Sequence, residues 1–237
     1  MTPDSDPLDA LAEEGAGALE DGEYEIALEI FEELLKKDPG HWGAALRHAE
    51  CLHLLWRSAE ALQEARALRP PAGEEDDPER VELEGMILEA MGRFEEADGS
   101  FLEANRIDPE NFPLPVRLDA DDFKTLLDKV LASLPRVIRE AVQEVPVIVE
   151  AKPTPEMAEH APAINPEVLG LFVGTSVGHK VFAGSGYGDV VLLFQKNLER
   201  AGRSRQEVSK EMKVTLLHEY GHYLGFDEEE LEHLGLG

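Results

Sequence analysis

GAGALEDGEYEIALEIFEELLKKDP, residues 15–39, returns in outline twice: AECLHLLWRSAEALQEARALRPPAG starts at Ala49 and GMILEAMGRFEEADGSFLEANRIDP at Gly85. The small residues Gly15, Ala49 and Gly85 recur at spacings of 34 and 36, and Ala27, Ala61 and Ala97 keep the same register. Phe31, Ala65 and Phe101 follow one turn later, then Leu34, Leu68 and Ala104. Pro39 and Pro109 close the first and third copies, whereas Pro70 and Pro71 and an acidic loop interrupt the second. A period near 34 with small residues where helices cross is the signature of stacked helix pairs. No pair buries its apolar face alone, so three copies stacked together make one continuous core.

This pattern resembles the tetratricopeptide repeat family over about residues 8 to 110. The resemblance implies an all-α solenoid with one concave groove, which either binds a protein or peptide partner or serves as a scaffold packed against the other domain.

Beyond DPENFPLPVRL the character changes. Phe123, Leu126, Leu127, Val130, Leu131 and Leu134 step by three and four, as on one helix face. VPVIVEAKP is a β-branched run ended by proline, and strands are expected there, around Leu169–Val173 and over Val190–Phe194. The last of these could lie inside a sheet or edge it and accept an extended peptide. Ser204 followed by Glu207 marks a helix start, and Gly225 its end. The expected fold class is multi-domain: an all-α helical-repeat solenoid over 8–112, then a small α+β domain over 116–237.

The last predicted helix carries HEYGH, residues 218–222. Residues four apart share a helix face, so His218 and His222 can direct imidazole nitrogens at one ion. Glu219, next to the first histidine, can reach a water on that ion and act as general base. Catalytic zinc sites take three protein ligands and keep an open position. Glu228 lies ten residues after His218, where sites of the form HExxHxxGxxH place the third ligand. Asp227 competes with it, and His233 less strongly.

The stretch from Phe123 to Gly237 resembles the small bacterial zincin-like metallopeptidases, through VLGLFVG, VLLFQKNLE and HEYGHYLGFDEEELEHLG in that order. The resemblance implies a zincin core holding Zn2+ on His218, His222 and an acidic residue after Gly225, with Glu219 as base. Glu228 stands where that family commonly has Asp. Peptide-bond hydrolysis is the implied activity. A non-catalytic adaptor with a structural or vestigial zinc site is the alternative.

Tyr187, in GSGYG, is a candidate oxyanion donor; Tyr220 and Tyr223 are expected to pack on the helix. His41, His48, His53 and Cys51 are expected to fill surface or core positions of the repeats.

Composition narrows the partners. The formal net charge is -28, and 30 acids against 9 bases lie in residues 1–110. Affinity for nucleic-acid phosphates needs clustered Lys and Arg, so nucleic acid is not an expected partner. No apolar run reaches the roughly 18 residues of a membrane span, so no membrane is expected either. With one cysteine and no basic-then-apolar leader, the expected location is the cytoplasm.

Overall fold

The repeated small and large residues meet where paired helices cross. The computed structural model describes residues 7–68, 75–159, 164–175, 180–181 and 189–233. The chain divides into two compact units, Met1–Pro113 and Leu114–Gly237.

Among the described residues, six helices form the first unit: α1 (Pro7–Glu20), α2 (Tyr24–Lys37), α3 (Trp42–Leu54), α4 (Ser58–Ala67), α5 (Pro78–Ala90) and α6 (Phe94–Ile107). Each packs on the next, and Phe31, Leu34, Leu52, Ile87, Leu88 and Phe101 belong to one core that runs through the three pairs. Gly15 lies beneath the Phe31 ring, where an added Cβ would come within 2.8 Å of it, and Gly85 lies beneath Phe101 at 2.7 Å. The middle pair meets the same constraint with Ala49 and Ala65, both fully buried. A large ring on one helix thus requires glycine on its partner, and two alanines fill the same space. Gly85→Ala is expected to overpack this crossing and lower the stability of the unit by about 1–3 kcal/mol. Urea unfolding followed by circular dichroism measures it.

A second regularity lies in the turn inside each pair. Gly22, Trp56 and Gly92 occupy equivalent places with φ of 76°, 62° and 73°. The next residue closes each turn in the same way: Glu23 N–H donates to Ala18 O at 2.9 Å, Arg57 N–H to Leu52 O at 2.8 Å, and Arg93 N–H to Leu88 O at 2.9 Å. The left-handed conformation is open to glycine, whereas it costs Trp56 about 1–2 kcal/mol. His41 caps α3, its Nδ1 accepting from Ala44 N–H at 3.1 Å. His48 joins α3 to α4 through Glu64 at 2.7 Å, and His53 is buried. Cys51 is also buried, and desolvation pushes its thiol pKa up to about 12. Pro70 and Pro71 lie outside the described residues.

The second unit opens with α7 (Ala120–Ser133), capped by the Asp119 carboxylate on Asp122 N–H at 2.7 Å. Then follow α8 (Arg136–Ala141), β1 (Val147–Glu150), α9 (Pro155–Ala158), β2 (Gly170–Thr175), β3 (Lys180–Val181), β4 (Val190–Phe194), α10 (Gln195–Ala201), α11 (Arg205–Leu224) and α12 (Glu228–His233). The strands form one sheet in the order β1-β4-β2-β3. β1 runs parallel to β4, with Val147 opposite Val191; β2 runs antiparallel to β4, with Phe172 opposite Val191. β4 is therefore interior, and the possibility that Val190–Phe194 forms the peptide-accepting edge is set aside. All five of its side chains are buried, as an uninterrupted apolar run demands when both faces are covered. Phe123, Val130, Phe172, Leu193, Leu198, Met212 and Leu216 share the core between sheet and helices.

Ahead of α7, residues 116–118 are stapled to α10. Val116 N–H donates to Glu199 O at 2.8 Å, and the buried Glu199 carboxylate accepts from Leu118 N–H and Arg117 Nη1, each at 3.1 Å. Among the described residues, no helix is long and apolar enough to cross a membrane.

Candidate metal centre

α11 carries the two histidines and brings Glu219 to the sheet. Its start is set by Ser204, whose side chain accepts from Glu207 N–H at 3.3 Å. The Glu207 carboxylate in turn accepts from Arg203 N–H at 2.7 Å, one residue before the position a capping box would use. Its end is set by Gly225, whose φ of 94° lets Phe226 N–H turn back to Gly221 O at 3.0 Å. These boundaries leave His218 and His222 one turn apart near the helix end.

Their rings meet edge to face with centroids 4.5 Å apart, and the two Nε2 atoms are 2.9 Å apart. His222 Nδ1 lies 3.3 Å from the Phe226 carbonyl. A carbonyl only accepts, so this contact puts the hydrogen on Nδ1 and leaves the Nε2 lone pair directed at His218. Two imidazoles on one tetrahedral zinc, each bonded at about 2.0–2.1 Å, have nitrogens roughly 3.3 Å apart. The observed pair is within a few tenths of an ångström of that spacing. A backbone carbonyl holding the second nitrogen is also how ligating histidines are usually oriented. The spacing of these two imidazoles is compatible with two of the ligands of one zinc ion.

Glu219 is only 7% exposed, and its Oε2 accepts from Phe172 N–H in β2 at 2.6 Å. A close approach of strand and helix makes this bond possible. At Gly170 an added Cβ would stand 2.6 Å from Thr215 Cγ2 and 3.2 Å from Glu219 Cγ. Thr215 turns its hydroxyl back to Glu211 O at 2.9 Å, leaving its methyl toward the strand. Gly170, Thr215 and the Phe172 N–H are parts of the site that the sequence reading missed. A glycine within an apolar strand was the available signal, since it marks a place where something approaches the backbone. Tyr220 is buried, and desolvation pushes its pKa up to about 12; Tyr223 packs edge-on against Phe172 with centroids 5.7 Å apart.

The acidic candidates after Gly225 occupy different places. Asp227 caps α12: its Oδ1 accepts from Glu230 N–H at 2.9 Å, and Glu230 Oε2 accepts from Asp227 N–H at 3.0 Å. Glu228 is the first residue of α12, and its side chain lies outside the described residues. His233 is exposed on α12, its Nδ1 2.6 Å from Glu229 O. Tyr187 also lies outside the described residues. Among the described residues, no group of three or more His, Cys, Asp or Glu is placed to hold a metal ion.

Residues 142–237 match the model of the zincin-like metallopeptidase family. Residues 18–81 match a tetratricopeptide repeat model. The protein thus carries a tetratricopeptide repeat followed by a zincin-like metallopeptidase domain. None of the curated proteins matches the chain.

Proposed function

We propose that the second unit is a zinc-dependent peptidase, with His218, His222 and Glu228 as protein ligands and Glu219 as general base. The observation that carries this reading is the placement of Glu219. Burying a carboxylate is expensive unless the charge is used or compensated, and a neutral side chain could bridge α11 and β2 just as well. Here Glu219 directly follows His218 on α11, and one oxygen of its buried carboxylate is anchored on the Phe172 N–H, while His218 and His222 converge on one another. The capping role of Asp227 supports Glu228 as the third ligand.

When bound, Zn2+ supplies a Lewis acid that brings the pKa of a water from 15.7 down to about 7. Glu219 takes a proton from the attacking water and delivers it to the departing amine nitrogen. The anchor at Phe172 fixes the orientation in which it does so. The repeat unit recruits the protein partner or substrate, as such stacked helix pairs commonly do. The single cysteine supports a cytoplasmic location, and the family resemblance supports a bacterial source.

Metal content tests the site. Purified protein is expected to hold one zinc per chain by mass spectrometry, and His218→Ala and Glu228→Ala are each expected to lose it. Protein that takes up no zinc at saturating Zn2+ would overturn the reading and move the function to the repeats.

A further inference from the structure

α12 has six residues, EEELEH, too few to form a stable helix alone. Leu231 is its single apolar side chain, and it is fully buried. It fills a notch on α11 at Gly221, where an added Cβ would collide with Leu231 Cδ2. Gly221 lies between His218 and His222, so the notch opens on the turn that bears the histidine pair. The same glycine's carbonyl accepts from Phe226 N–H at 3.0 Å, and Leu231 N–H donates to Asp227 O at 3.0 Å. Both ends of the connection between α11 and α12 are therefore tied down around one side-chain contact.

Resting on the ligand set proposed above, we infer that Gly221 and Leu231 form a latch that positions the third ligand. Leu231 in the Gly221 notch holds α12 against α11 and so fixes where α12, whose first residue is Glu228, starts relative to the turn of α11 that bears the histidines. Both are positioning residues. The absence of a side chain at Gly221 serves this docking, beyond any role in the helix itself. Cutting Leu231 back to alanine empties the notch and frees α12, while the two histidines keep their places on α11.

Zinc affinity, measured on the full chain by competition with a chromophoric chelator, tests the latch. Leu231→Ala is expected to weaken binding about 10–100-fold, the range seen when support for a metal ligand is removed. Leu231→Met, which refills the notch, is expected to restore binding to within about threefold. Gly221→Ala, which expels Leu231, is expected to match Leu231→Ala.

A double-mutant cycle separates the latch from general loosening. In a Glu228→Ala background, which loses zinc on purification but is titrated at high Zn2+ to read the weaker binding left to His218 and His222, Leu231→Ala is expected to add no further loss. An equal additional loss there would overturn the inference, as would unchanged affinity in Leu231→Ala when the parent protein binds one zinc; both results leave the zinc site standing. A parent protein that binds no zinc would overturn the latch and the site together.

Discussion

Glu219→Gln is expected to keep one zinc per chain and to lower peptide hydrolysis by about 10²–10⁴-fold, the usual contribution of a positioned acid–base group. The substitution is isosteric. Its amide oxygen can still accept from the Phe172 N–H, so the contact between α11 and β2 survives and the histidines stay in place. What disappears is a group able to take up a proton near neutral pH. The measurement pairs metal content with cleavage of an unstructured protein such as casein, read by mass spectrometry. Full turnover in this variant would remove Glu219 from the mechanism. Loss of zinc instead would make Glu219 part of the metal site rather than its base.

Glu199→Ala is expected to be the most damaging single change to the fold of the second unit. The carboxylate is completely buried and accepts from Leu118 N–H, Arg117 Nη1, Gln195 Nε2 at 2.6 Å and Lys196 Nζ at 2.9 Å. Removing it deprives two cations and a backbone donor of a shared acceptor, and it loosens residues 116–118 from α10. Breaking a buried, charge-assisted network in this way costs about 2–4 kcal/mol, discounted here because Arg117 and Lys196 keep some contact with water. Glu199→Gln retains the acceptor oxygen and is expected to lose less. Denaturant midpoints of the two variants measure both, and an unchanged midpoint for Glu199→Ala would show that the network adds nothing to stability.

Several parts of this architecture were legible because they depend on neighbours in sequence. The period near 34 announces stacked helix pairs because every pair must present the same apolar stripe to the next. Phe31 above Gly15 and Phe101 above Gly85 satisfy that requirement, and Ala49 with Ala65 is the same solution at smaller volume. Ser204 and Gly225 bound α11 through hydrogen bonds to residues a few positions away, and the four-residue step from His218 to His222 is one helical turn. The turn at Trp56 was hidden for a local reason: the left-handed position carries glycine in the other two copies, and a bulky aromatic residue conceals it.

Tertiary structure decided what local pattern cannot encode. An apolar run such as Val190–Phe194 fits an interior or an edge position, and only the pairing with both β1 and β2 made it central. Glu219 reaches Phe172 across 47 positions, and that contact exists because Gly170 lets the strand approach Thr215. Asp227 and Glu228 are equivalent as carboxylates in sequence, and they part company once α12 forms and Asp227 becomes its cap. The meeting of Leu231 with Gly221 belongs to the same class. Period and capping are properties of one segment, whereas strand order and close approach arise when separate segments compete for the same space.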